Sequence, residues 1–541
     1  MDPRSGKLRF LQDSELVGRA ATAMNIYEIL LRAFGSRECH KNGTFYGNGS
    51  GKFSDISDEV LDSISAMQID AVWYAGVIAH ASKTEFIRVQ KCNPAIVKGE
   101  CGSPFAIRDY ADVAPELADK VPARMKEFAA MVARTHRHGM KVIIDFVPNH
   151  VAREYESDRF KFTDENFYML NSPLVLPDRV EGNYFENPAK ASGNDVFSPT
   201  PSITDWYETV KLNYNSRSTW EIMTSVLKFW ASKGVDGFRC DMVEMVPADF
   251  FGYAISEVRK EYPDTVFIGE AYNPGNYKIY RSAGFDLLYD KVGMHDTLLD
   301  IIKGDKPASS ITKVWQSLGN LQDNMLNFLE NHDEMRIASD FVTGAVSKRA
   351  ESLFKTPAAR GAALIGAHAQ ICAAAVATLF NKASFLIYFG QEFAEAGMQN
   401  EGFSKVDGKT SIYDYCIVPS IKRHLEGKSI PPETKTRNAY LRLMKRSVTS
   451  PFLTGKTFDL EYCNPLSNMF DPESQFAFMR SDGKRHSLVV ANFSPESKTV
   501  YVTIPALAFE YLGLVETKYF NPHTPRCVEV KAFDYTVMPI Y

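Results

Sequence analysis

Short apolar runs recur from about residue 20 to residue 445, each preceded by a stretch with one apolar helical face. Lys141–Val147, Val235–Cys240, Val266–Gly269 and Met325–Leu329 are too short for helices and too uniformly apolar to alternate. They read as strands buried on both faces. Asn25–Leu31, Ala71–Ile78 and Ser384–Phe389 are further strand candidates. Between them, Met125, Phe128, Met131 and Val132 share one face of a helix over Met125–His138, closed by Gly139. Trp220, Met223, Leu227 and Trp230 form the next face, closed by Gly234. Pro247 opens a third helix, which runs to about Glu261 and stops before Pro263. Helix and buried strand in alternation predict a parallel sheet, and eight such units close into an α/β barrel.

Two regions break the rhythm. Residues 151–205 are rich in Asn, Pro, Asp and aromatics without a sustained period, which predicts a long excursion after one strand. From about 449 to 541 the segments HSLVVANF, KTVYVTI and DYTVMPIY predict a C-terminal antiparallel β-sandwich. The expected organisation is therefore a (β/α)8 barrel over 1–150 and 206–448, an insertion over 151–205 and a sandwich over 449–541.

Composition changes this picture little. The chain has 541 residues, 45% apolar and 23% charged, with a formal net charge of −5. That gives no basic footprint for nucleic acid, and no apolar stretch is long enough to predict a membrane span. The first residues, MDPRSGKLRF, lack the apolar core of a signal peptide, so a cytoplasmic location is expected unless a leader has been removed. The eight cysteines include no CxxC pair and read as single buried thiols, although Cys92 and Cys101 are close enough in sequence to bridge a loop. GNGSGKF (Gly47–Phe53) fails the phosphate-loop pattern at Tyr46 and Phe53 and reads as a flexible loop.

The chemistry lies at the strand ends. Asp241, Glu270 and Asp333 each stand at or just past the end of a predicted strand, 29 and 63 residues apart. At roughly thirty residues per strand–helix unit these spacings are one unit and two, so the three carboxylates converge at the C-terminal mouth of a barrel. Arg239, two residues before Asp241, shares its face of the strand and can hold it ionised.

DFVPNH (Asp145–His150), GFRCD (Gly237–Asp241), IGE (Ile268–Glu270) and ENHD (Glu330–Asp333) occur in the order of the four motifs of the α-amylase family of glycoside hydrolases, which the chain resembles. YFGQE (Tyr388–Glu392) extends the likeness to the eighth strand, and the excursion and sandwich match the family's B and C domains. The resemblance implies that Asp241 is the nucleophile, Glu270 the general acid/base and Asp333 a stabilising carboxylate of a retaining mechanism. It also implies that Asp145, His150, Arg239 and His332 bind or orient the sugar at the cleavage point. The implied substrates are starch-derived α-glucans or malto-oligosaccharides.

The departures from the family pattern carry information. The usual sugar-stacking tyrosine is replaced by Phe105, which keeps a ring face and loses the hydroxyl. The family's calcium site keeps Asn149, but the stretch Thr209–Asn213 puts Lys211 where an aspartate ligand is usual. An ammonium repels calcium and can replace its charge, so no metal or other cofactor is expected there. This version resembles the neopullulanase-like branch, which acts on α-1,4 and sometimes α-1,6 bonds. Glu244-Met245 stands in place of the lysine–histidine pair that follows the nucleophile in many amylases. A transglycosylase or isomerase would carry the same triad; a non-catalytic binding or scaffold barrel would typically have lost it.

Overall fold

The computed structural model describes residues 23–37, 49–342, 344, 362–398, 403, 405–517 and 520–540. Eight parallel strands close into a barrel: β1 Asn25–Leu30, β2 Ala71–Ala75, β3 Lys141–Phe146, β4 Gly237–Cys240, β5 Val266–Gly269, β6 Leu287–Tyr289, β7 Met325–Phe328 and β8 Ser384–Tyr388. Neighbours in sequence are neighbours in space, and β8 closes the ring on β1 with Asn25 opposite Phe385. Nearly every strand residue is buried, because side chains pack into the barrel on one face and against the helical layer on the other. That two-sided burial is why the strands read as unbroken apolar runs.

The helices behave as their apolar faces require. Arg124–Arg137 buries Phe128, Met131 and Val132, and Gly139 follows it at φ +76°, a left-handed turn that lets β3 begin at once. Gly234 does the same at φ +90° after helix Arg217–Ala231. Pro247 caps helix Ala248–Glu261. The pattern missed β6, whose three residues are too few to show a period. It also overran β2, since the chain turns at Gly76 (φ +71°) and Ile78–His80 pairs elsewhere, with Ile107–Val113.

The excursion leaves and returns through a two-stranded ribbon, His150–Ala152 paired antiparallel with Thr209–Lys211. Beyond the barrel, β9 Lys456–Asp459, β10 Gln475–Ser481, β11 His486–Asn492 and β14 Asp534–Ile540 form an antiparallel sheet in the order β9-β10-β11-β14. β12 Lys498–Val502 and β13 Arg526–Val530 form a ribbon over it. β10 and β11 are almost wholly buried. Phe476, Phe478, Val489 and Ala491 join the barrel core, whereas Ala477, Met479, Leu488 and Val490 join a second core under the ribbon.

The reading of single buried thiols holds for Cys92, Cys101, Cys240 and Cys372. Cys92 and Cys101 are both free, buried thiols rather than a bridge, Cys463 is half-buried, and Cys527 is exposed on the outward face of β13. Cys39, Tyr46 and residues 47–48 of the GNGSGKF loop lie outside the described residues. Among the described residues no helix is long and apolar enough to cross a membrane.

Candidate active site

Asp241, Glu270 and Asp333 follow β4, β5 and β7 and line one cavity of about 120 Å³ at the C-terminal mouth of the barrel. Phe105, His150, Trp206 and Tyr413 form its aromatic wall, and the buried ion pair Lys98–Glu208 (2.9 Å) stands beside them. Arg239 lies beneath, fully buried. Its Nη1 donates to Asp241 Oδ1 at 2.6 Å, and its Nη2 stands 2.8 Å from Glu270 Oε2 and 3.9 Å from Asp333 Oδ2. One guanidinium thus addresses all three carboxylates. It is held in turn by the Tyr289 hydroxyl, 3.1 Å from Nε.

Asp145, His332 and Arg239 support the cavity from below. Asp145 accepts from Gly76 N at 2.8 Å and Trp73 Nε1 at 3.2 Å, and lies 3.8 Å from Arg239 Nη1. His332 is clamped between Glu28 Oε1 (2.5 Å from Nδ1) and Asp333 Oδ2 (3.0 Å from Nε2), with the Phe105 ring stacked on it at 5.0 Å. Burial disfavours the charged imidazole, but the two carboxylates outweigh it and hold its pKa well above the ordinary value. Burial likewise opposes charge on Asp333, yet the contact with His332 keeps that carboxyl well below its ordinary range. Asp241 goes the other way. Burial raises its pKa, Arg239 pulls it down, and the nearby Glu270 and Asp333 carboxyls leave it raised.

Glu270 is positioned from two sides. The Met242 N–H donates to Oε2 at 2.7 Å, and the Tyr272 hydroxyl donates to Oε1 at 2.6 Å. Met242 adopts a left-handed backbone (φ +44°), an unfavourable state for a side-chain-bearing residue, which turns its N–H towards Glu270. Glu244 holds the loop beyond: Oε2 accepts from Tyr272 N at 2.9 Å and Oε1 from Asn276 Nδ2 at 2.8 Å. Glu330, by contrast, is buried against Arg336 (2.9 Å) and the Ile337 N–H (2.7 Å) and braces its own loop.

His150 is buried beside Trp206, with ring centroids 5.3 Å apart. Burial, then Lys211 and Lys98, lower its pKa to about 3, so it is neutral. The Lys211 ammonium donates to Asn149 Oδ1 and, at 2.7 Å, to the Met245 carbonyl, and pairs with Asp195 at 2.8 Å. The oxygens that the usual calcium would take from Asn149 and Met245 are therefore satisfied by a cation of the chain itself, and this donor set does not fit the metal.

A family model described as the α-amylase catalytic domain matches residues 41–414. The chain belongs to the α-amylase family. Alpha-amylase 3 of Dictyoglomus thermophilum is 22% identical over 450 residues, 78% of this chain and 75% of that protein. The amino acid transporter heavy chain SLC3A1 of Rattus norvegicus is 27% identical over 292 residues, 51% of this chain. This chain spans only 35% of that relative's length. Among solved structures, the native debranching enzyme of Nostoc punctiforme superposes with a TM-score of 0.67 at 15% identity, covering 96% of this chain and 98% of that one. That likeness speaks for the fold alone.

The family motifs pointed to the triad, Arg239 and both histidines. They did not point to Tyr272, Trp206, Tyr413, Lys98 or Glu208. Two signals were available in the sequence: Glu28 interrupts an otherwise apolar strand, and Tyr272 sits two residues after Glu270.

Proposed function

We propose that the protein is a retaining glycoside hydrolase that cleaves α-glucosidic bonds, mainly α-1,4, in starch-derived glucans or malto-oligosaccharides. The observation carrying this reading is the single guanidinium of Arg239 that addresses Asp241, Glu270 and Asp333 together. Two carboxyls gathered on one cation suit the close spacing of double displacement better than the wider gap that admits a water between them.

In the first step Asp241 attacks the anomeric carbon while Glu270 gives its proton to the departing sugar oxygen. This step needs Glu270 as the acid and Asp241 as the carboxylate, which the direct bond from Arg239 stabilises. Asp333, kept ionised by His332, faces the developing positive charge of the sugar. In the second step Glu270, now a carboxylate, takes a proton from water, which attacks the anomeric carbon and releases Asp241. Phe105 and Trp206 offer ring faces to the sugar, and neutral His150 offers it a hydrogen bond. No calcium is proposed at the site taken by Lys211.

Incubation with amylose, pullulan and maltotriose followed by separation of the products tests the substrate class. Proton NMR of the first-formed product tests the mechanism: the α-anomer should appear before mutarotation, and an initial β-anomer would overturn double displacement. Added acceptor sugars report whether water or a hydroxyl resolves the intermediate. Transfer products in excess of hydrolysis would make the protein a transglycosylase.

A further inference from the structure

The crevice between helix Pro431–Ser447 and the C-terminal sheet holds a cavity of about 360 Å³, three times the volume of the catalytic one, and the two share no lining residue. Small-molecule sites typically measure about 300–1,000 Å³. The helix contributes Lys435, Arg442 and Arg446 to its wall, and the chain entering and forming β14 contributes Lys531, Asp534 and Tyr535. Four cations thus surround a cavity lined by one carboxylate, in a chain whose net charge is −5.

Arg442 and Arg446 lie one turn apart on the same helix face, where like charges repel. Among the described residues, no carboxylate stands within ion-pair distance of Arg442, Arg446 or Lys531. Arg446 and Tyr535 both line the crevice, one from the helix and one from β14. Guanidinium forks match phosphate oxygens in geometry and charge. Ile371, Ala439 and Val537 add apolar lining, a surface suited to the uncharged part of a ligand.

We propose that this crevice binds a small phosphorylated organic molecule of sugar-phosphate size. Arg442, Arg446 and Lys531 hold the phosphate, and Tyr535, Ile371 and Val537 contact the body. Since the cations come from both the barrel and the C-terminal sheet, the occupant ties the two together.

Isothermal titration of the full chain at fixed ionic strength, with glucose 6-phosphate and inorganic phosphate as probes, tests this. Glucose 6-phosphate should bind once per chain, and inorganic phosphate, which shares only the head group, roughly tenfold or more weakly. Arg442→Gln combined with Lys531→Gln should weaken glucose 6-phosphate at least about tenfold, the loss of two charge-assisted contacts. Asp534→Asn, which deletes the lining carboxylate and keeps the cavity, should tighten it, a gain that misfolding cannot imitate. Absence of saturable binding, equal binding by the double variant, no tightening by Asp534→Asn, or inorganic phosphate binding as tightly as glucose 6-phosphate would each overturn the assignment.

Discussion

Lys211 and Asn149 are bonded across the junction of barrel and excursion, the ammonium donating to the amide oxygen. Lys211 sits on the returning strand of the ribbon and Asn149 immediately before its outgoing strand, so the contact ties together the two ends of a long insertion. Burial lowers the pKa of Lys211, and Asp195 opposes that shift. Chelation should therefore change neither melting temperature nor activity. Lys211→Met should cost about 2–3 kcal/mol, because it leaves the Met245 carbonyl and Asn149 Oδ1 without their donor. Calorimetry with and without chelator decides the matter, and a chelator-induced drop in melting temperature traced to a calcium ion at Asn149 would sink it.

Asp241→Asn should abolish turnover with the fold intact, because an amide cannot form the glycosyl ester. Glu270→Gln should fail on natural glucans but retain far more activity on a glycoside whose leaving group needs little protonation. Steady-state kinetics on both substrate types separates the roles. Equal losses for Glu270→Gln on the two would remove it as the acid, and near-normal rates for Asp241→Asn would remove it as the nucleophile.

Why the triad was legible and its support was not follows from where each lies. Asp241 and Glu270 end buried parallel strands, whose uniform apolarity and thirty-residue spacing survive in a single sequence; Asp333 lies a few residues past β7. The barrel closure was legible for the same reason, apart from β6, where three residues leave no pattern. Trp206 and Tyr413 reach the cavity from irregular segments that show no period, so only coordinates bring them to it. The Lys98–Glu208 pair joins residues 110 positions apart, which no local rule connects. Glu28 stands out as a carboxylate within apolar β1, but no local rule pairs it with His332, which lies on the far side of the closing strand β8.

His150 should make the fold acid-sensitive. Its folded pKa is lowered from 6.5 to about 3, so between those values the unfolded chain takes up a proton that the folded one refuses. The contribution is fully present above 6.5 and is lost progressively as pH falls. At pH 5 the loss amounts to about 2 kcal/mol. His150→Asn should be correspondingly less sensitive, so that urea unfolding at pH 7 and pH 5 shows a drop about 2 kcal/mol smaller than in the parent. An unchanged drop would mean that His150 accepts its proton in the folded state.

Tyr272 and Glu244 act on Glu270 as one unit. The Tyr272 hydroxyl fixes one carboxyl oxygen of Glu270, and burial, then Glu270 itself, raise the phenol pKa so that it remains a donor. Glu244 fixes the backbone of Tyr272 and the side chain of Asn276. Tyr272→Phe should lower kcat by roughly tenfold, a loss of general-acid alignment, with little change in KM. Glu244→Ala should do the same by freeing the loop. If Glu244 works through Tyr272, the double variant should be no worse than the poorer single one. Kinetics on the four proteins completes the cycle. Multiplicative losses would show that Glu244 reaches the reaction by another route, and an unaltered Tyr272→Phe would leave the Met242 N–H and Arg239 as sufficient to aim the acid.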